Sequence, residues 1–125
     1  MDIGIREIDD QHRVFVGLIN EMFALASDPA APADLRPFLR RLNGYAIYHF
    51  GTEEGYFERF GYESAEIHAG EHRRILKRIS DFIEEYDFKG TAVIPELAVF
   101  LNDWFLDHTQ KVDRQYVPLF QRHGL

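Results

Sequence analysis

Six histidines occur in this 125-residue chain, and five of them fall at positions where a helical repeat would place a core leucine or isoleucine. His68 and His72 lie four residues apart, so about 400° of helical rotation brings both imidazoles to one face, where they can grip a single ion. His49 and Glu53 repeat that spacing. His12 stands alone near the N-terminus, and His108 is followed five residues later by Asp113. Taken singly, His12 reads as a hydrogen-bonded core histidine, and one His-x3-His pair arises by chance about as often as by function. The combination reads differently, because two carboxylates buried without partners cost several kcal/mol each, against a total stability of roughly 5–15 kcal/mol. A bound cation removes that cost. The chain has no cysteine, so any metal must be held by nitrogen and oxygen, and disulfides, thiolate–zinc sites and iron–sulfur clusters are excluded.

Four amphipathic helices are needed to bring these residues together. Ile8, His12, Phe15, Ile19 and Phe23 share a face of a first helix from about residue 9 to 27, with Asp9 as its N-cap. A second, from about 35 to 60, carries Phe38, Leu42, Tyr45, Ala46, His49, Glu53, Tyr56 and Phe60 inward, with Pro37 in its first turn and Gly61 at its stop. The third, from about 64 to 88, opens at Ser64, repeats His68, His72, Ile75, Ile79, Phe82 and Tyr86, and ends near Gly90. A fourth begins at Pro95 and buries Leu97, Leu101, Trp104, Phe105, His108 and Val112, with Pro118 breaking or bending it. The proline-rich stretch from Ser27 to Asp34 is a loop. With short connections and no β-rich segment, the expected fold is all-α: an antiparallel up-down-up-down four-helix bundle with a short N-terminal arm, one domain over residues 1–125. Five residues turn about 500°, which leaves Asp113 off the His108 face. It is expected to reach the site from the side, through a π-bulge.

Composition excludes several partners. The formal charge is −7 and the pI near 5.3, which disfavours nucleic acid and anionic lipid, since both require clustered Lys and Arg. No apolar run approaches the roughly 18–20 residues of a membrane span and no signal-peptide pattern opens the chain, so a cytoplasmic location is expected.

The set H-x36-H-x3-E-x14-H-x3-H-x35-H-x4-D, here His12, His49, Glu53, His68, His72, His108 and Asp113, resembles the ligand pattern of the hemerythrins at all seven positions. IDDQH at 8–12, HFGTEE at 49–54, GY at 61–62 and WFLDH at 104–108 extend the likeness to the bacterial members over almost the whole chain. The resemblance implies a non-haem diiron centre that binds O2 reversibly, for transport, storage or delivery. It further implies that His68, His72 and His108 hold one iron, that His12 and His49 hold the other, and that Glu53, Asp113 and an oxo or hydroxo group bridge them. Two six-coordinate irons offer twelve positions. Five imidazoles, two bridging carboxylates and one bridging oxygen fill all but one, which suits one small ligand on the His12/His49 iron. Only two carboxylates serve this set, where oxidising diiron bundles use four, and that favours reversible binding over high-valent chemistry.

Trp104, Phe105 and Thr109 are expected to wall the O2 pocket, although the two aromatics read equally well as core. Thr109 stands where isoleucine is usual in the family, and a hydroxyl there would hydrogen-bond the ligand or admit water. Phe57 replaces a common methionine. Glu54 faces about 100° away from Glu53 and reads as a supporting or solvated carboxylate, Tyr116 as an anchor for the fourth helix, and His123 as a surface residue outside the pattern. The segment before Ile3 is shorter than is usual in the family, which fits a naturally short form or an excised domain. Competing functions are an O2 or redox sensor whose output lies in a partner protein, a peroxidase-like or nitric-oxide-handling enzyme, and a structural bundle with zinc or no metal. The enzyme reading requires an acid–base group beside the iron, and Thr109 is a poor one, so a non-enzymatic binding protein is expected.

Overall fold

The computed structural model describes residues 2–125, all-helical with no strand among them. Helix α1 runs Arg6–Ser27, α2 Arg36–Phe60, α3 Ala65–Lys89 and α4 Val93–Lys111, and a short α5 covers Val117–Arg122. One turn of 3-10 helix, Gly90–Ala92, is all that separates α3 from α4, and a second, Asp113–Tyr116, joins α4 to α5. Packing of α1 on α2, α2 on α3, α3 on α4 and α4 on α1 closes the ring around one interior. None of the described helices is long and apolar enough to cross a membrane.

The reversals rest on local chemistry. Gly61 ends α2 in the left-handed conformation (φ 68°, ψ 44°), where any other residue except asparagine pays a Cβ penalty. Gly90 does the same work after α3 at φ 63°, ψ −144°, a region open essentially only to glycine. Pro37 lies in the first turn of α2, where its missing N–H costs nothing. The Leu35 N–H donates to the Tyr86 hydroxyl at 3.0 Å, which ties the start of α2 to the end of α3.

Four expectations need correction. Helix α1 starts at Arg6, so Asp9 lies inside its first turns and is not the N-cap; instead its buried carboxylate accepts the Ile3 N–H at 2.8 Å and the Gly4 N–H at 3.1 Å, folding the N-terminal arm back. The inward residue at the end of α1 is Met22, while Phe23 is 40% exposed. Helix α4 begins two residues before Pro95, at Val93, because the 3-10 turn runs straight into it. No π-bulge serves Asp113: α4 stops at Lys111, and the tighter turn that follows swings Asp113 inward to full burial.

The interior is stratified. A large apolar cluster includes Phe15, Ile19, Met22, Leu39, Leu42, Ile79, Leu97 and Phe105. A smaller one gathers Ile3, Ile5, Ile8, Phe57, Tyr116 and Phe120. His12 falls between Ile8 and Phe15 on α1, Glu53 between Phe50 and Phe57 on α2, and His108 between Phe105 and Tyr116 at the end of α4. The polar residues therefore form a layer sealed by apolar side chains on both sides.

Asp9→Ala leaves the Ile3 and Gly4 amides without an acceptor and is expected to destabilise the protein by about 1–3 kcal/mol. Urea denaturation measures the loss, and amide exchange at Ile3 and Gly4 should quicken in parallel; an unchanged midpoint would show that the arm contributes nothing.

Candidate metal centre

Each long helix contributes to the polar layer from its inner face. α1 supplies His12, α2 His49 and Glu53, α3 His68 and His72, and α4 with the turn after it His108 and Asp113, all buried. The Nε2 atoms point at the two carboxylates. His108 and His68 approach Asp113 Oδ1 at 2.9 and 3.0 Å, and His12 approaches Oδ2 of the same carboxylate at 3.4 Å. Glu53 Oε1 lies 3.2 Å from His49 and 3.4 Å from His72, and the Nε2 atoms of His68 and His108 are 3.2 Å apart.

Despite these separations, Glu53 Oε1, both Asp113 oxygens and the Nε2 atoms of His12 and His72 are buried without a hydrogen-bond partner. Lone pairs that converge but do not pair are costly in an apolar interior. A cation resolves the conflict. Bonds of roughly 2.0–2.2 Å at right angles put neighbouring ligands roughly 3 Å apart, which matches the spacing here. The donors fall into two groups, His68/His72/His108 and His12/His49/Glu53/Asp113, each with donor atoms within 4.8 Å of one another. Imidazole and carboxylate donors together suit divalent first-row ions such as iron, and the residues present fit such a centre.

Electrostatics prepares the site for positive charge. Burial and the neighbouring Asp113 push the Glu53 carboxyl up, but the His49 and His72 imidazoles outweigh them and hold it at about 2. Burial likewise opposes ionisation of Asp113, yet His108, His12 and His68 keep it well below the usual carboxylate range. His108 is raised, since Asp113 more than offsets its burial. Tyr116 is pushed well above its ordinary value by burial and by the Glu53 and Asp113 charges. It therefore stays a donor, and its hydroxyl gives a 2.6 Å hydrogen bond to Glu53 Oε2.

The outer face of the layer orients the rings. His49 Nδ1 meets the Gln11 side-chain oxygen at 2.8 Å, His72 Nδ1 meets Glu54 Oε2 at 3.0 Å, and His108 Nδ1 lies 3.2 Å from Glu71 Oε2. Phe50 stacks on His72 at 4.0 Å between centroids, Trp104 stacks on His108 at 4.5 Å, and Phe105 sets its edge against His12 at 5.0 Å. Glu54 thus has the supporting position its spacing suggested, and Tyr116 grips Glu53 itself. Gln11 and Glu71 escaped the sequence reading: Gln11 sits inside the IDDQH motif beside a ligand, while Glu71 carries no signal apart from adjacency to His72.

A cavity of about 10 Å³, measured to the centre of a water-sized sphere, lies against His12, His49, His108 and Asp113 and is walled by Phe15, Phe50, Trp104 and Phe105. That is roughly the space one water molecule needs. Trp104 and Phe105 therefore line it. Thr109 is buried on α4 with its hydroxyl unpaired and is not among the residues that line this cavity. His123 is exposed and stacks on Phe60, away from the polar layer.

Comparison with known proteins gives a consistent result. The family model described as the hemerythrin HHE cation binding domain matches residues 3–120. Bacteriohemerythrin from Clostridium acetobutylicum is 28% identical over 120 residues, covering 93% of each chain. Bacteriohemerythrin from Pseudomonas aeruginosa is 29% identical over the full 125 residues and 80% of its own length. A crystal structure of a hemerythrin point variant superposes with a TM-score of 0.82 at 27% identity, over 92% of this chain and 87% of that one.

Tyr116→Phe deletes the donor to a buried, ionised carboxylate and is expected to lower the unfolding free energy by about 1.5–3 kcal/mol. Thermal and urea denaturation of the purified protein read this directly; a loss below 0.5 kcal/mol would mean that Glu53 is held without the phenol.

Proposed function

Because this chain belongs to the hemerythrin HHE cation-binding domain family, we propose that it binds dioxygen reversibly at a diiron centre inside an antiparallel up-down-up-down four-helix bundle. His68, His72 and His108 would hold one iron, His12 and His49 the other, and Glu53 and Asp113 would serve both. The observation that carries this reading is the Asp113 carboxylate, whose Oδ1 faces His68 and His108 while Oδ2 faces His12. A carboxylate that offers one oxygen to each donor group is shaped to bridge two ions. When bound, the irons supply one electron each and an open coordination position for a diatomic ligand.

The protein's own residues supply confinement and order. Phe15, Phe50, Trp104 and Phe105 wall the cavity that touches His12, His49, His108 and Asp113 and leave space for one small molecule, so bulk water is kept from the ligand. Tyr116 occupies Glu53 Oε2, which directs Oε1 toward His49 and His72. The lining contains no titratable side chain outside the seven ligands, which supports binding rather than turnover, since proton transfer to a substrate needs a positioned acid or base.

Anaerobically reduced, iron-loaded protein is expected to develop a visible charge-transfer band when O2 is admitted and to lose it when O2 is removed. Irreversible oxidation on first exposure, with no such band, would contradict reversible binding and favour a redox sensor or enzyme. Trp104→Ala, which opens the cavity wall, is expected to shorten the lifetime of the oxygenated form several-fold, read per bound iron because Trp104 also stacks on the His108 ring; stopped-flow spectra decide, and an unaltered lifetime would remove Trp104 from the water barrier.

A further inference from the structure

The five imidazoles are not backed alike. Behind the three-histidine group stand two carboxylates: Glu54 hydrogen-bonds His72 Nδ1 at 3.0 Å, and Glu71 lies 3.2 Å from His108 Nδ1 as a close charge contact whose Oε2 makes no hydrogen bond. Behind the other group, His49 Nδ1 meets only the neutral amide oxygen of Gln11, and His12 Nδ1 is buried with no partner. His68 Nδ1 is also unpartnered, so the asymmetry rests on the hydrogen bond from His72 to Glu54, with the Glu71 charge beside His108, against His49. Glu54 is 40% exposed at the side chain, which lets it carry charge at the edge of the layer without a large desolvation cost, whereas Glu71, 28% exposed, buries the Oε2 that faces His108. Phe50 stacked on His72 and Trp104 stacked on His108 hold both ring planes so that Nδ1 stays directed outward.

A carboxylate that accepts the far N–H of a metal-bound imidazole makes the ring a stronger donor to the metal. A neutral amide oxygen does this less, since charge-assisted hydrogen bonds are roughly twice as strong as neutral ones. Stronger donation stabilises the more highly charged ion.

We propose that Glu54 and Glu71, acting through His72 and His108, set the order in which the two metal positions change charge. The three-histidine position retains the ferric ion, and the His12/His49 position accepts the first electron. Starting from the diferric form, one electron from an external one-electron reductant converts the His12/His49 iron to ferrous and leaves the other unchanged. A second electron reduces the three-histidine iron at a lower potential. Glu54 and Glu71 are positioning residues, and Gln11 is neutral where a carboxylate would erase the difference. This inference rests on the diiron reading above.

The test uses the full chain, loaded with iron and counted first: fewer than two irons per wild-type chain overturns the diiron reading, and with it this one. A dithionite titration with mediators then reads the two one-electron midpoints, and electron paramagnetic resonance reads the half-reduced form. Glu54→Gln and Glu71→Gln are each expected to raise the lower midpoint by a roughly tenfold change in ferric preference, about 59 mV, with the upper midpoint nearly fixed. Gln11→Glu, nearly isosteric, is expected to lower the upper midpoint and alter the resonance of the half-reduced form. Glu54→Asp, which keeps the charge, should return the lower midpoint toward wild type. Two irons retained with both midpoints unmoved in the glutamate variants, or both midpoints moved equally, would overturn the proposal while leaving the diiron centre intact. Because the substitutions sit on different helices, failure of one variant to fold leaves the others to decide.

Discussion

Everything in this structure depends on seven buried polar side chains that cannot satisfy one another. Five imidazole nitrogens and two ionised carboxylates converge to between 2.9 and 3.4 Å, and much of their hydrogen-bonding capacity goes unused. In an apolar interior such a cluster is tolerable only when positive charge occupies its centre. The bundle supplies the enclosure: apolar clusters above and below, aromatic faces laid on the rings, and a tyrosine that fixes one carboxylate. Stability and function are thereby coupled, because the layer that would hold metal is also the layer where the protein is least stable without it.

Much of this was legible in the sequence because helical periodicity is a strong signal. His12, His49, His68, His72 and His108 stand at core positions of uninterrupted stripes, and the glycines at 61 and 90 mark two reversals that the structure repeats. Spacing paired His68 with His72 and His49 with Glu53, the division into two groups followed from the resemblance, and the geometry brings the same residues to one layer. What spacing could not supply was the local backbone at the ends of helices. Asp9 looks like an N-cap because aspartate caps helices from outside, but the same carboxylate can reach backwards from within a first turn, and here it does. Asp113 required a departure from α-geometry; the sequence offered no way to choose between a widened turn and the tighter 3-10 turn that occurs.

Residues behind the imidazoles were harder still. Glu71 and Gln11 act on the far side of two imidazoles, and contacts across helices leave no periodic trace in one chain. Thr109 stands out because isoleucine is usual at that place in the family; it is buried with its hydroxyl unpaired and is not among the residues that line the cavity.

The central claim is that the seven donors hold two ions, one in each group, with Asp113 between them. Anomalous diffraction at the iron edge from crystals of the iron-loaded protein tests it most directly. The account predicts two peaks per chain, about 3.5–4 Å apart or less, one beside His68, His72 and His108 and the other beside His12 and His49. A single peak, or iron bound away from Asp113, would contradict it.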